Sequence, residues 1–119
     1  MKRILVLDDV PSQAELIGRF LDQAGYSVIT ANSADEALEK ISGQRPDVVV
    51  TDLVMPEISG LQFCRKLKKN PETNKIPVIA CTTKDREMDR NWAMKQGVSA
   101  YVTKPFNKED LLSAVQSVV

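Results

Sequence analysis

A chain of 119 residues is long enough to bury one hydrophobic core, so we treat residues 1–119 as a single domain. Its 16 basic and 16 acidic residues cancel, and without a basic excess we expect no binding to nucleic acid or to an anionic membrane surface. No apolar run approaches the roughly 18 residues of a membrane span and no signal peptide is recognisable, so we expect a cytoplasmic protein.

Apolar runs of strand length alternate along the chain with helical patterns. The predicted strands are 4–7, 28–31, 48–51, 78–81 and 100–102. Apolar residues at helical spacing mark four helix faces: Ile17, Phe20, Leu21 and Ala24; Ala34, Ala37, Leu38 and Ile41; Leu61, Cys64 and Leu67; and Leu111, Val115 and Val118. The segment 85–96 is less regular, and we predict a helix there whose Met88 and Trp92 serve packing.

The ends of these helices carry capping signals. Ser33 with Glu36 predicts a capping box, Asn107 with Asp110 a looser version of it, and Gly25 and Gly97 suit helix ends. Continuous apolar strands that alternate with helices predict a parallel sheet covered on both faces, with right-handed crossovers. The fold class is therefore α/β with five strands and five helices. The pattern leaves the strand order open, and a doubly wound sheet fits it best.

Three carboxylates directly follow two of the predicted strands. Asp8 and Asp9 come after the first strand, and Asp52 comes after the third. In a doubly wound sheet of order 2-1-3-4-5 these strands are neighbours at the switch point, so the three side chains would converge in one crevice. A shared proton, an ion pair or a hard cation would resolve their repulsion. Mg²⁺ suits the set, because it prefers oxygen ligands, keeps several waters and commonly bridges to phosphate.

Further polar residues follow the other central strands. Thr82 and Thr83 come at the end of the fourth strand, and Lys104 follows the fifth. A hydroxyl group and an ammonium group are suited to holding phosphoryl oxygens. The chain has no histidine, and Cys64 and Cys81 form no CxxC motif, so we interpret both cysteines as buried free thiols rather than zinc ligands.

In this order and spacing the sequence resembles the receiver domain of bacterial two-component response regulators, with CheY-type single-domain proteins as the closest form. The resemblance spans essentially the whole chain. It rests on Asp8 and Asp9, on DLVMPEISG at 52–60, on Thr82 and on YVTKPF at 101–106. It implies a flavodoxin-like, five-stranded parallel sheet of order 2-1-3-4-5.

The resemblance also implies a role for each site residue. Asp52 would be the phosphoacceptor, which attacks a phosphohistidine of a partner histidine kinase; because the chain has no histidine, the donor must be another protein or a small phosphodonor. The implied Mg²⁺ ligands are Asp9 directly, Asp8 mainly through water, Asp52, and the backbone carbonyl of Val54. Thr82 and Lys104 would bind the phosphoryl group. The protein would then be no enzyme beyond self-catalysed phosphoryl transfer and autodephosphorylation.

Tyr101 matches the family's switch aromatic on strand 5, which turns inward when the Thr82 hydroxyl engages the phosphoryl group. The switch would change binding of a downstream protein at the face formed by helix 4, strand 5 and helix 5. The Lys104-Pro105 bond resembles a cis peptide of the family, although the sequence leaves its isomer open. Gly60 and the Met55-Pro56 pair would shape the loop after Asp52.

Simpler interpretations compete with these roles. Asp8 could cap helix 1, Thr82 could be an ordinary strand residue, Lys104 a surface lysine and Tyr101 a packing residue. Three positions flanking the site bear on how long a phosphoryl group stays, namely Val54, Thr83 and Lys84. Because Val54 cannot hydrogen-bond water and Lys84 could screen the phosphoryl group, we expect slower self-dephosphorylation than in a variant with polar residues there.

Four functions are compatible with the fold. The first is a stand-alone receiver that acts as a switch or a phosphate sink, and the second is a receiver cut from a longer regulator with a DNA-binding or enzymatic output domain. The third is a Mg²⁺-dependent phosphohydrolase of the haloacid dehalogenase type, which places a DxD pattern after strand 1; LDDVPS lacks it. The fourth is a flavodoxin-like FMN binder, whose Ser/Thr/Gly-rich phosphate loop DDVPSQA does not match.

Overall fold

Strands and helices alternate strictly along residues 2–119, the part of the chain that this computed structural model describes. The strands are β1 (Arg3–Leu7), β2 (Ser27–Ala31), β3 (Val48–Thr51), β4 (Val78–Thr82) and β5 (Ala100–Thr103). The helices are α1 (Pro11–Gln23), α2 (Ala34–Gln44), α3 (Gly60–Lys69), α4 (Glu87–Lys95) and α5 (Lys108–Gln116). Within these residues, no helix has the length and apolar character that a membrane span requires.

The five strands form one parallel sheet in the order β2-β1-β3-β4-β5, which confirms the predicted fold class and order. β1 and β2 begin one residue earlier than predicted, because Arg3 and Ser27 pair in the ladder although their side chains are polar. The register pairs Leu7 with Thr51, so β1 and β3 end at the same level of the sheet. Residues that follow these two strands therefore emerge side by side.

Each face of the sheet carries its own layer of helices. The helices α1 and α5 pack on one face, against side chains such as Val6 and Ile79. The helices α2, α3 and α4 pack on the other face, against side chains such as Leu5 and Val49. Both faces of β1, β3 and β4 are thus covered, which explains why these strands are continuously apolar rather than alternating.

The packing predictions were wrong at the ends and edges of the helices. Ala24 is exposed, because α1 ends at Gln23 and Ala24 is only its C-cap. Met88 and Trp92 are 66% and 53% exposed, because α4 directs Ala93 toward the sheet instead. Phe63 is fully buried and is a large part of the core under α3, although the predicted face omitted it.

The helix caps partly match the predictions. Ser33 Oγ accepts a hydrogen bond from Glu36 N at 3.1 Å, as a capping box requires. The Glu36 carboxylate, however, accepts from the backbone nitrogen of Asn32 at 2.6 Å and not from that of Ser33, so the capping box is incomplete. A complete capping box, which was not predicted, joins Ser59 and Gln62 at the start of α3. The cap of α5 is confirmed, since Asn107 Oδ1 accepts from Asp110 N at 2.8 Å.

Left-handed backbone occurs at the ends of three helices. Gly25 and Gly97 have φ angles of 95° and 101°, as their predicted positions at helix ends suggested. Arg45 ends α2 with φ 46° and ψ 73°, a conformation in which a Cβ is strained.

We predict that Arg45→Gly raises the free energy of unfolding by about 0.5 kcal/mol. Glycine relieves the strain of the left-handed conformation, and this gain exceeds the free-energy cost of the greater conformational entropy that glycine gives the unfolded chain. Urea unfolding followed by circular dichroism measures the change. Ala24→Gly is the matched control, since the C-cap of α1 has φ −87° and glycine there should only destabilise. Equal destabilisation by the two variants would contradict the prediction.

Candidate functional site

The predicted site residues lie together at the carboxyl edge of the sheet. Asp8 and Asp9 follow β1, Asp52 follows β3, Thr82 ends β4 and Lys104 follows β5. Backbone hydrogen bonds extend the ladders into this region: Asp52 N donates to Leu7 O at 3.1 Å, and Lys104 N donates to Thr82 O at 2.7 Å. The central strands therefore position the site directly.

The ammonium group of Lys104 lies between two of the carboxylates. Its Nζ is 2.8 Å from Asp8 Oδ2 and 3.0 Å from Asp52 Oδ2. The side chains of Lys104, Asp8 and Asp52 are only 10%, 1% and 12% exposed. In so dry a place two unpaired carboxylates would repel strongly, and the shared ammonium group offsets that repulsion.

The ion pairs also determine the charge state of Lys104. Burial alone would lower the pKa of Lys104, but the hydrogen bonds to Asp8 and Asp52 and their negative charges outweigh burial and raise it above its ordinary value. Lys104 therefore carries a positive charge at neutral pH. Lys104 is thus a largely buried cation at the carboxyl ends of the strands rather than a surface lysine.

The remaining oxygens of the two carboxylates are oriented by backbone groups. Asp8 Oδ1 accepts a hydrogen bond from Val10 N at 3.0 Å, and Asp52 Oδ1 accepts from Val54 N at 2.9 Å. Each carboxylate is thus held at both ends, by a backbone N–H and by Lys104. Asp8 orders the turn into α1 in this way, although Val10 is the N-cap residue of that helix.

Asp9 occupies a different position from the other two acids. It is half-buried and lines a cavity of about 150 Å³ together with Asn32, Met55 and Glu57, among others. In the part of the chain that the structure describes, no three acidic, cysteine or histidine side chains are grouped closely enough to hold a metal ion. The structure therefore joins Asp8 and Asp52 through Lys104 and leaves Asp9 beside them.

Thr82 and Tyr101 are linked through the backbone of Lys84. Lys84 N donates to Thr82 Oγ1 at 3.4 Å, and Tyr101 Oη donates to Lys84 O at 2.6 Å. The guanidinium group of Arg90 lies 5.3 Å from the centre of the Tyr101 ring, in cation–π range. Burial, followed by the charge of Asp89, raises the pKa of Tyr101, so its hydroxyl stays protonated as a donor.

Cys81 lies on β4 beside Thr82, but its thiol is a poor nucleophile. Burial, with the charges of Asp52 and Asp8 acting in the same direction against Lys104, raises the pKa of Cys81 to about 12. Cys64 is also buried and unpaired. Both cysteines are free thiols, as predicted, and the thiolate that cysteine chemistry requires is suppressed at Cys81.

Two residues near the site were not predicted. Asn32 follows β2, and its side-chain amide donates to the carbonyl of Asp8 at 3.0 Å. The rule that found the acids, a polar residue directly after a strand, would also have found Asn32. No comparable signal marked Arg90, whose place over Tyr101 depends on how α4 packs beside β5.

The loop after Asp52 is confined by the start of α3. A Cβ atom at Gly60 would lie 2.1 Å from the carbonyl oxygen of Asp52 and 2.8 Å from the Cα of Leu53. Gly60 N donates to Leu53 O at 3.1 Å, so the helix is joined to this loop. The Lys104-Pro105 peptide on the other side of the site is cis.

Comparisons with known proteins agree with this geometry. The family model described as response regulator receiver domain matches residues 4–116. Protein PilH of Pseudomonas aeruginosa is 40% identical over 119 residues, which cover 100% of this chain and 98% of PilH. The structure of chemotaxis protein CheY4 of Vibrio cholerae superposes with a TM-score of 0.94 at 31% identity, covering 100% of this chain and 99% of CheY4.

Other relatives are longer than this chain. The alkaline phosphatase synthesis transcriptional regulatory protein PhoP of Bacillus subtilis is 34% identical over 118 residues. That match covers 99% of this chain but 48% of PhoP, so the chain spans about half the length of that regulator.

We predict that Gly60→Ala lowers the free energy of unfolding by roughly 1–3 kcal/mol, because the added methyl group must displace backbone rather than a flexible side chain. Urea unfolding measures the change. The control is Gly43→Ala, a helical position with nothing within 4 Å of the added Cβ, where alanine should stabilise by up to about 1 kcal/mol. A Gly60→Ala protein as stable as the wild type would show that the backbone around Asp52 and Leu53 can accommodate a Cβ at residue 60.

Proposed function

This chain belongs to the response regulator receiver domain family, and on that premise we propose that it is a phosphorylation-dependent switch with Asp52 as its phosphoacceptor. Receiver domains are signalling modules of two-component systems rather than classical enzymes. The observation that carries the proposal is Lys104, whose ammonium group is 3.0 Å from Asp52. A fixed positive charge thus lies beside the carboxylate that would gain the phosphoryl group.

The proposed reaction is a direct transfer to Asp52. A carboxylate oxygen attacks the phosphorus of a phosphohistidine on a partner histidine kinase, or of a small phosphodonor. With phosphohistidine, the new O–P bond forms as the P–N bond breaks, and the imidazole nitrogen leaves with the bonding electron pair. With acetyl phosphate, the P–O bond to the acetyl group breaks and acetate leaves with that pair. Catalysis of such transfers consists mostly of positioning and charge neutralisation, which suits a carboxylate fixed by Val54 N at 2.9 Å.

Lys104 and Thr82 would receive the transferred group. Lys104 Nζ has three N–H donors, so it can bind a phosphoryl oxygen and still hold Asp8 at 2.8 Å. The Thr82 hydroxyl, buried at the end of β4, can rotate to donate to another phosphoryl oxygen. These two groups would neutralise part of the charge that arrives with phosphorylation.

The donor atoms around Asp52 suit Mg²⁺. The proposed ligands are all oxygens: the carboxylates of Asp8 and Asp52, the backbone carbonyl of Val54, and the carboxylate of Asp9. Asp9 would have to approach the other two acids, since the three carboxylates form no closed metal site among residues 2–119. Each carboxylate oxygen that accepts one hydrogen bond retains a lone pair, and hard oxygen donors are what Mg²⁺ prefers. When bound, Mg²⁺ would neutralise negative charge on the phosphoryl oxygens. The carboxylates also outnumber Lys104, which leaves negative charge for a cation to balance.

The switch we propose operates through Thr82, Lys84 and Tyr101. If the Thr82 side chain rotates about χ1 and carries its oxygen toward the phosphoryl group, Lys84 N loses its acceptor and the loop between β4 and α4 is free to repack. Tyr101 would move with this loop, because its hydroxyl donates a hydrogen bond to Lys84 O at 2.6 Å. A population shift between two packings would then alter the face formed by α4, β5 and α5, where we place the binding of a downstream target.

The proposed partners are a histidine kinase and a protein target, with no direct binding of nucleic acid or membrane. We take residues 1–119 as one receiver domain and place it in the cytoplasm, where buried free thiols stay reduced. Chemotaxis or another motility response is the pathway we propose, by analogy with CheY4. The alternatives are a phosphate sink, or the receiver part of a longer regulator with a DNA-binding or enzymatic output domain, as the match to half of PhoP suggests.

Incubation with acetyl phosphate and Mg²⁺ should produce a phosphoryl adduct on the intact protein, measured by mass spectrometry. We expect no adduct without Mg²⁺, because the negative charges at the site are then not balanced. We also expect no adduct in Asp52→Asn, because the nucleophilic carboxylate is lost. Asp22→Asn, which changes an exposed acid of α1, is the matched control and should be phosphorylated normally. Absence of an adduct with every donor, or its persistence in Asp52→Asn, would refute the assignment.

The lifetime of the phosphoryl group on Asp52 should depend on Val54. Val54 is 52% exposed beside Asp52 and cannot orient an attacking water. Val54→Asn should therefore speed the decay of the phosphorylated protein several-fold, as followed by loss of the mass adduct over time. Val119→Asn, at an exposed valine that follows α5, should leave the decay unchanged. An unchanged decay rate in Val54→Asn would refute the proposed role of Val54 in the lifetime of the phosphoryl group.

A further inference from the structure

The helix α4 presents an apolar surface to solvent. Six large apolar side chains are exposed among residues 2–119, and three of them, Met88, Trp92 and Met94, belong to this nine-residue helix. Only Ala93 of α4 is buried. Single exposed apolar residues are ordinary, but Met88 and Trp92 are four residues apart on the same side of α4 and form a patch of the kind that marks an interaction surface, whereas Met94 lies on another side of the helix.

A polar line with opposite charges at its ends runs along the outer side of α4. Glu87, Asn91 and Lys95 follow one another at intervals of four residues, so they lie in a line along the helix, and all three are exposed. The line begins with a negative charge and ends with a positive charge. Met88 and Trp92 lie beside it, and these five residues line a groove of about 360 Å³.

We propose that this groove binds the same groove of a second copy of the chain, with the two α4 helices antiparallel. A twofold axis at Asn91 then places Glu87 of each copy against Lys95 of the other. Along one flank of the pair, Met88 and Trp92 of the two copies alternate and cover each other. The surface is therefore self-complementary, as a twofold-symmetric interface requires, and paired Asn91 side chains would set its register.

The charge order is the reason to prefer a second copy over another occupant. Glu87 and Lys95 take part in none of the ion pairs formed among the described residues, so both are available to a partner. Antiparallel pairing with an identical helix satisfies both charges at once. An anionic membrane would instead favour a uniformly basic face, which Glu87 interrupts.

This surface lies on a different side of α4 from the groove of the proposed target face. That face contains a groove of about 550 Å³ lined by Arg90, Tyr101 and residues of β5 and α5, and it shares no lining residue with the groove on the outer side of α4. Self-association therefore goes beyond the phosphorylation switch, and the unphosphorylated chain should already show it. Because a single short helix buries less than a standard interface, we expect a weak dimer that forms at high protein concentration.

Sedimentation velocity of the unphosphorylated full chain over a wide concentration range tests the proposal. Trp92 is the single tryptophan of the sequence, so its fluorescence reports on this surface alone. The weight-average mass should rise toward that of a dimer, and the emission maximum should shift to shorter wavelength over the same range. A protein that stays monomeric, or dimers that leave the emission of Trp92 unchanged, would overturn the proposal.

Charge exchange tests the antiparallel pairing itself. Glu87→Lys and Lys95→Glu each place like charges opposite one another, so each variant alone should dimerise about tenfold or more weakly. An equimolar mixture of the two variants should restore association, because two lysines then face two glutamates. Association that the single changes do not weaken, or that the mixture does not restore, would exclude this arrangement. Thermal unfolding of each variant verifies that the helix remains folded.

Discussion

The site depends on one ammonium group placed between two carboxylates. Lys104 lies 2.8 Å from Asp8 and 3.0 Å from Asp52 because parallel strands in the order β2-β1-β3-β4-β5 end at one edge. Without that cation, the two acids would repel each other in a nearly dry environment. The sheet register brings the charges together, and the ion pairs make their proximity tolerable.

Under the proposed function, this arrangement serves reactivity more than stability. A buried ion pair loses in desolvation much of what it gains in attraction, so it contributes little net stability. Because Lys104, Asp8 and Asp52 neutralise one another, Lys104 can exchange one carboxylate for another anion with little reorganisation of the site. A phosphoryl group on Asp52 would bring new negative charge to Lys104, which is already oriented toward it. The neighbouring Cys81 stays a neutral thiol with a pKa of about 12, and therefore adds no competing nucleophile.

The sequence predicted what depends on local pattern, and missed what depends on distances between elements. Continuous apolar runs located five strands to within one residue at each end, and polar residues directly after strands located Asp8, Asp52 and Lys104. The pattern did not show that Trp92 faces solvent, since helical spacing alone does not tell which side of α4 meets the sheet. The bond from Tyr101 to the Lys84 carbonyl joins residues 17 apart, and no local signal encodes it.

The shallow attachment of α4 connects the proposed switch to the proposed self-association. In the described part of the chain, residues 2–119, Ala93 is the only residue of α4 that is buried, whereas each of the other four helices buries two or more residues. Elements with little buried apolar surface are the ones that shift at low cost. The loop that precedes α4 carries Lys84, so a change at Thr82 reaches the helix through its N-terminal end, which has no side-chain cap. Movement of α4 would displace Arg90 on one side and Trp92 on the other, so that both surfaces respond to one event.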